Sequence, residues 1–195
     1  MSEAPVGRGD GVYVAPGRWT AQRAVAELPE TTGMTIEVLD GSLVVSPRPS
    51  TRHQAALREL LYELHRAARR VGLAAYPEIN MVCGDDLTSP DIVVIRPPDE
   101  EKVWVPAQDA VLVVEIMSAG SKRKDRFEYP QVYAREKIGH FLRVEFRGED
   151  PVFFLHELVD GEYRPAVVAP AGTPFVMREP FDFSIDPARL VEDGA

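Results

Sequence analysis

The chain has 195 residues and a net charge of −9, and 45% of its residues are apolar. This length suits one globular domain with a sizeable core, and so acidic a chain does not simply coat nucleic acid. No apolar run approaches the roughly 18 residues of a membrane span, and the N-terminus lacks the basic start and apolar core of a signal peptide. Cys83 is the only cysteine, so an internal disulfide is excluded. We therefore expect a cytoplasmic protein.

The first elements predicted along the chain are an arm, a short helix and a hairpin. Residues 1–18 are rich in Gly and Pro without a period, which predicts a flexible N-terminal arm before a single domain over residues 19–195. The stretch Trp19–Leu28 is a short helix candidate. Two runs rich in β-branched residues then flank Asp40-Gly41, a dipeptide that strongly favours a β-hairpin.

The most clearly predicted helix follows this hairpin. Apolar residues recur at helical spacing between Leu57 and Val71. Ser50 or Thr51 can cap its start, and Gly72 can end it.

Strands dominate the second half of the chain. Residues 74–98 read as two strands around a turn, and a polar loop over residues 99–109 leads into the apolar strand "VLVVEIM". Pro130 fits the first turn of a helix, so a second helix is predicted to start near Tyr129. Further strands and a hairpin at Asp160-Gly161 follow. The predicted fold class is therefore α/β, with a mixed central β-sheet flanked by helices.

Three acidic residues lie in or beside these apolar strands: Glu37 in "TIEVLDG", Asp91 at the start of "DIVVI", and Glu115 late in "VLVVEIM". Acidic side chains are almost never fully buried unless they are paired or bind a metal. Carboxylates that converge repel one another, and a divalent cation such as Mg²⁺ relieves that repulsion. Such an ion can polarise a phosphoryl oxygen and lower the pKa of an attacking water.

An alternative for each acid is that strand alternation points it to solvent. Glu37 shares a face with polar Thr35, and Asp91 after Pro90 is also an ordinary turn residue. Glu115 fits this alternative least, because the run before it contains no polar residue.

Positive charge is concentrated in two segments of this acidic chain. Residues 48–70 carry six Arg against two Glu, and residues 118–126 carry four basic residues against one Asp. Their net charges are +4 and +3, so the rest of the chain carries −16. Either both segments are solvated faces, which is the usual case for charge runs, or both border one site for an anionic substrate.

The order of these motifs, "LPE…IEVLDGSLVVSPRPSTRHQ…SPDIVVI…LVVEIMSAGSKRKDR…YAREKIGHFLRVE", resembles the Uma-type putative restriction endonuclease family, which is similar to PD-(D/E)xK nucleases. The likeness extends from Leu28 to Leu190. The resemblance implies a restriction-endonuclease-like fold and Mg²⁺- or Mn²⁺-dependent hydrolysis of DNA. It implies metal ligation by Asp91 and Glu115, with Glu37 as a third ligand or a group that orients water.

One departure from the nuclease pattern concerns its lysine. The pattern places Lys two residues after the second acid, where this chain has Met117, and many relatives carry Lys in the following helix, where this chain has Tyr129. The lysine stabilises developing negative charge or orients the attacking water. Candidates to replace it are Lys122, Lys124 and Arg126, of which we choose Lys124 as nearest the helix entry. The family often has a polar residue where His53 stands, although a capping or surface role is the simpler expectation there.

The sequence leaves three functions open. The first is a metal-dependent DNA endonuclease, in which a homodimer would allow both strands to be cut. The second is a catalytically inactive module on the same fold that binds nucleic acid or regulates, favoured by the missing lysine. The third is a metallohydrolase of a small phosphorylated molecule, favoured by the acidic net charge.

Overall fold

The computed structural model describes residues 6–7, 13–15, 18–28, 34–118 and 124–191. Its helices are α1 (Ala21–Glu27), α2 (Thr51–Arg69) and α3 (Tyr129–Arg135). Its strands, in chain order, are β1 (Val6–Gly7), β2 (Tyr13–Ala15), β3 (Met34–Leu39), β4 (Ser42–Pro47), β5 (Ala74–Pro77), β6 (Asn80–Cys83), β7 (Asp86–Thr88), β8 (Ile92–Ile95), β9 (Trp104–Pro106), β10 (Ala110–Ile116), β11 (His140–Arg147), β12 (Asp150–Val159), β13 (Glu162–Pro170), β14 (Phe175–Met177) and β15 (Phe183–Ile185).

Helix α2 forms where local chemistry predicts it. The Ser50 side chain accepts a hydrogen bond from the backbone N–H of His53 at 3.3 Å, which satisfies one free donor at the helix start. Beyond its end, Gly72 has a φ of 76°, a conformation that costs glycine little. The apolar face between these ends, which includes Leu57, Leu60 and Leu64, is buried.

A six-stranded mixed sheet with the order β13-β12-β11-β10-β8-β5 forms the centre of the fold. Strands β10 and β11 run parallel, and the other neighbours run antiparallel. Both faces of its central strands are covered. Ile92 and Val94 of β8 belong to the core that includes α2, whereas Val93 and Ile95 belong to the core that includes α3. This two-sided burial explains why β8 and residues 110–114 of β10 read as uninterrupted apolar runs.

A second sheet has seven strands in the order β1-β2-β4-β3-β7-β6-β9. Its β3–β4 hairpin turns at Asp40 and Gly41, whose φ values of 48° and 72° are those of the predicted tight turn. Strands β14 and β15 pair separately with each other. The predicted α/β class with mixed sheets and flanking helices is confirmed, although the strands divide between two large sheets.

Two predictions of local structure were wrong. Residues 74–98 form four strands instead of two, because the chain reverses at Glu78, which has a φ of 47°, and β8 pairs with β10 rather than with its preceding neighbour in sequence. The segment 99–109 contains β9, which pairs parallel to β6.

Within the segment predicted as a flexible arm, residues 6–7 and 13–15 form strands, and β2 pairs antiparallel with β4. Most of that segment lies outside the described residues. Among the residues that the structure describes, no helix is long and apolar enough to cross a membrane.

Candidate active site

A cleft of about 1050 Å³ brings the predicted site residues together. Its lining includes Glu37 from β3, Asp91 from the residue before β8, Glu115 from β10 and Lys124 from a π-helical turn over Lys124–Glu128. Residues of the α2 start and the β11 end complete its walls. The acids therefore come from strands of both large sheets and meet at one cavity.

Asp91 is held firmly by one of its two carboxylate oxygens. Oδ2 accepts a hydrogen bond from the backbone N–H of Ile116 at 2.6 Å and lies 3.1 Å from Nε2 of His53. The other oxygen, Oδ1, accepts no hydrogen bond from the described residues. Because the side chain is 17% exposed, this second oxygen is free to meet a ligand in the cleft.

Glu115 is a buried carboxylate whose hydrogen bond from the described residues comes from a tyrosine. Its side chain accepts one hydrogen bond, from the hydroxyl of Tyr133 to Oε1 at 2.6 Å, and it forms no salt bridge with any described residue. Burial, followed by the nearby charges of Asp91 and Asp125, raises the pKa of Glu115 well above its usual value. Among the described residues, the Tyr133 hydroxyl and the charge of Lys124 favour negative charge here, but burial and the neighbouring acids outweigh them, and a bound cation reverses that balance.

Glu37 has the opposite surroundings. Its Oε1 accepts hydrogen bonds from the hydroxyl of Tyr129 at 2.5 Å and from the backbone N–H of Ser89 at 3.2 Å. Its Oε2 accepts one from Nζ of Lys124 at 2.9 Å. Both oxygens thus accept hydrogen bonds, as expected for a carboxylate that is only 2% exposed.

The ammonium of Lys124 is fixed at this point by two partners. Nζ donates to Glu37 and, at 3.1 Å, to Oγ of Ser46. Burial alone would lower the pKa of Lys124, but the charge and hydrogen bond of Glu37 outweigh it and raise the pKa. Lys124 is therefore a charged group inside the cleft.

Lys124 was chosen from three candidates, and the other two are placed differently. Arg126 lies at the cleft edge, where it forms hydrogen bonds of 3.2 and 2.5 Å with the two carboxylate oxygens of Glu145. Lys122 lies outside the described residues. Met117, at the position of the pattern's lysine, is 9% exposed.

A divalent cation fits part of this donor set. Among the described residues, no group of three or more His, Cys, Asp and Glu side chains is arranged to hold a metal ion. Mg²⁺ needs one or two protein carboxylates, with water and substrate oxygens as its remaining ligands. Asp91 and Glu115 offer such a pair, since each has an oxygen that accepts no hydrogen bond from the described residues. Whether Glu37 joins them stays a prediction.

Sequence reasoning missed the part played by His53. A capping or surface role was expected, yet the residue is 7% exposed and its ring contacts Asp91. Burial would lower its pKa, but the hydrogen bond and charge of Asp91 raise it overall. The signal was present in the helix periodicity, because His53 precedes Leu57, Leu60 and Leu64 at spacings of four, seven and eleven residues on one face.

Sequence reasoning also missed that two tyrosines of α3 form hydrogen bonds with the acids of the cleft. Tyr133 is fully buried, and its hydroxyl donates a hydrogen bond to Glu115. Tyr129 holds Glu37 in the same way, and the two rings stack with centroids 5.6 Å apart. Their spacing of four residues places both on one helix face, which was readable, but their acceptors lie far away in sequence.

Comparison with solved structures places this architecture in a known class. The fold resembles that of "a putative nuclease belonging to DUF820" from Anabaena variabilis, with a TM-score of 0.62 and 18% sequence identity. The match covers 80% of this chain and 87% of the other. The mixed sheets and flanking helices thus form a restriction-endonuclease-like fold.

The family follows from the sequence itself. A family model, Uma2, described as "Putative restriction endonuclease", matches residues 23–188. The chain belongs to the Uma2 family. No curated protein matches the chain significantly.

Proposed function

We propose that this protein is a divalent-metal-dependent DNA endonuclease in which Asp91 and Glu115 bind Mg²⁺ or Mn²⁺ and Lys124 supplies positive charge. The observation that carries the proposal is the buried carboxylate of Glu115, which forms no salt bridge with the described residues and lies beside Asp91 in the same cleft as a charged lysine. When bound, the ion polarises a phosphoryl oxygen and lowers the pKa of a water.

The surrounding residues prepare the site for a phosphodiester. The backbone N–H of Ile116 and the ring of His53 fix Asp91. The hydroxyl of Tyr133 fixes one oxygen of Glu115. A group already held in its working position costs no reorganisation when charge develops on the substrate.

On the other side of the cleft, Glu37 positions Lys124. Both oxygens of Glu37 are occupied, and one of them holds the ammonium. We therefore assign Glu37 to the orientation of Lys124, and a role as third metal ligand requires that this pair separate. The ammonium then stabilises negative charge that develops on the phosphate.

The test is cleavage of supercoiled plasmid in the presence of Mg²⁺ or Mn²⁺. We expect the wild type to cut, and Asp91→Asn, Glu115→Gln and Lys124→Met to lose activity. Asp99→Asn makes the same chemical change in an exposed segment and is expected to cut normally. Cleavage that persists unchanged in Asp91→Asn and Glu115→Gln would falsify the proposal.

A specific observation favours a second candidate, a module that binds nucleic acid without cutting it. The pattern's lysine position is occupied by the buried Met117, and Glu37 already neutralises Lys124. Calorimetry with Mn²⁺ separates the two functions. Binding that disappears in Glu115→Gln supports the nuclease, whereas the absence of any Mn²⁺ binding supports the module.

Double-strand cleavage would need two such sites, so a homodimer is part of the nuclease proposal. Analytical ultracentrifugation with and without DNA measures it. A monomer in both conditions that still linearises plasmid by single binding events contradicts the dimer.

A further inference from the structure

Four arginines border the acidic floor of the cleft. This set, the arginine rim, comprises Arg48, Arg52, Arg126 and Arg147. Arg48 precedes α2, Arg52 lies in its first turn, Arg126 is in the π-helical turn, and Arg147 ends β11. All four are exposed. In a chain with a net charge of −9, this edge of the cleft is a local reversal of charge.

Two members of the arginine rim are held by neighbouring groups. Arg52 donates to the backbone carbonyl of Gly148 at 3.1 Å and to Glu149 at 3.2 Å, which ties the α2 start to the turn after β11. Arg126 is held by both oxygens of Glu145. These contacts fix the shape of the rim and partly neutralise it.

The other two members have no acidic partner among the residues that the structure describes. Arg48 and Arg147 form no salt bridge with the described residues. The guanidinium of Arg147 lies 5.9 Å from the ring centroid of Phe154, a contact that leaves its N–H donors available. An exposed guanidinium binds phosphate oxygens through two parallel hydrogen bonds.

The size of the cleft exceeds what one phosphodiester needs. Its volume of about 1050 Å³ is at the upper end of the range for sites that enclose whole small molecules. The Asp91 and Glu115 pair accounts for one reacting phosphate on the floor. Arg48 and Arg147 line the same cleft, are exposed and form no salt bridge with the described residues, so their charges are available to a ligand larger than one phosphodiester.

We propose that the arginine rim is a subsite for the phosphates that flank the reacting one, so that the substrate is a polynucleotide and not a small phosphodiester. This inference rests on the proposed function, because it takes the floor as the place of the reacting phosphate. The positive rim brings the acidic protein and a polyanion together at this one edge.

The first experiment measures DNA binding without divalent metal, by fluorescence anisotropy of a labelled duplex at several salt concentrations. We expect Arg48→Gln and Arg147→Gln each to weaken binding roughly tenfold, the worth of one charge-assisted hydrogen bond. Each should also lower the slope of log Kd against log salt by about 1. Arg69→Gln removes the same charge from an exposed site at the other end of α2 and is expected to bind as the wild type does.

The second experiment compares two substrates in the presence of Mn²⁺. For Arg48→Gln/Arg147→Gln we expect DNA cleavage to fall mainly through a higher KM. Hydrolysis of bis(p-nitrophenyl) phosphate, which has a single phosphate, should be unchanged. A subsite for flanking phosphates affects the first reaction and not the second.

The outcomes distinguish this inference from the proposed function. The subsite is rejected if the wild type does not bind DNA, or if the double variant binds DNA as tightly as Arg69→Gln does. It is also rejected if the double variant hydrolyses DNA and bis(p-nitrophenyl) phosphate with equal losses of activity. If the wild type hydrolyses neither substrate but its DNA binding depends on Arg48 and Arg147, the nuclease proposal fails, and what stands is the arginine rim as a surface that binds polynucleotide phosphates.

Discussion

Glu37 and Glu115 are two buried carboxylates in one cleft that are compensated in different ways. Each is at most 4% exposed, and each accepts a hydrogen bond from a tyrosine of α3. Glu37 also receives a backbone N–H and the ammonium of Lys124, whereas Glu115 forms no salt bridge with the described residues. As a result, burial and neighbouring acids raise the pKa of Glu115.

This difference helps to distinguish buried acids that have a structural role from buried acids that bind a ligand. A carboxylate whose oxygens are all engaged is a structural partner of the groups that engage it. A carboxylate whose pKa is raised by burial and by neighbouring acids is stabilised in its charged form by a ligand cation, and a divalent metal ion is the simplest candidate. The same substitution, Glu to Gln, should therefore have different consequences at the two positions.

The largest expected effect is on activity at Glu115. We expect Glu115→Gln to lower plasmid cleavage about 1000-fold or more, a loss of about 4 kcal/mol of transition-state stabilisation, since it weakens the binding of the ion. Measured kcat/KM at one fixed Mn²⁺ concentration that half-saturates the wild type checks this. Full recovery of the variant at high Mn²⁺ would limit the role of Glu115 to affinity.

The next effect is on stability at Glu37. Glu37→Gln leaves the ammonium of Lys124, 11% exposed, without its carboxylate, and breaking such a buried pair costs about 3 kcal/mol. Urea denaturation measures the free energy of unfolding. The double variant Glu37→Gln/Lys124→Met removes both charges and should recover much of the loss. A Glu37→Gln variant as stable as the wild type contradicts the importance of this ion pair.

A smaller effect is expected from the tyrosine that orients Glu115. Tyr133→Phe removes the hydroxyl and should weaken Mn²⁺ binding about tenfold, as loss of a group behind a metal ligand does. Tyr129→Phe is the matched control, because it removes the same hydroxyl from the Glu37 side and is expected to leave Mn²⁺ affinity near that of the wild type. Calorimetry of both variants gives the comparison. Equal losses in the two would show that the hydroxyls act only on the fold.

The smallest effect concerns pH and the stability of Glu115→Gln without metal. The folded state raises the pKa of Glu115, so it binds that proton more tightly than the unfolded state does. The contribution of Glu115 to the stability of the wild type is therefore greatest below the unfolded pKa of about 4.3 and is lost as pH rises through the folded pKa.

Glu115→Gln removes this penalty and should be more stable than the wild type by on the order of 1 kcal/mol at neutral pH. The gain should shrink as pH falls from the folded pKa toward about 4.3 and should be absent below that value. Thermal unfolding at a series of pH values without divalent metal measures it. A variant less stable than the wild type at neutral pH reverses the comparison between the two acids.

The sequence predicted what local chemistry determines. The hairpin at Asp40-Gly41 and the helix after Ser50 depend on residues a few positions apart, and both are confirmed. It could not predict the division of strands between two sheets, because strand pairing depends on contacts between distant segments. Nor could it show that Tyr129 and Glu37, which are 92 residues apart, share a hydrogen bond.

The sequence predicted which residues form the candidate site better than it predicted what each residue does there. Glu37, Asp91, Glu115 and Lys124 line one cleft, as expected from the motifs and the family resemblance. The charge pattern could not predict that Glu37 pairs with Lys124, because the other basic side chains of residues 118–126 are also long enough to reach an acid.

The π-helical turn at Lys124–Glu128 makes the length of this segment part of the site. A π-helix relates each residue to the fifth one after it, and Lys124 and Tyr129, five residues apart, both bond to Glu37. Deleting one residue from this turn would rotate Lys124 away from Tyr129 by about 100°, the angle between successive residues of an α-helix. The contacts of Lys124 and Tyr129 with Glu37 therefore depend on the number of residues between them, and an insertion or deletion would disrupt them even if both side chains were kept.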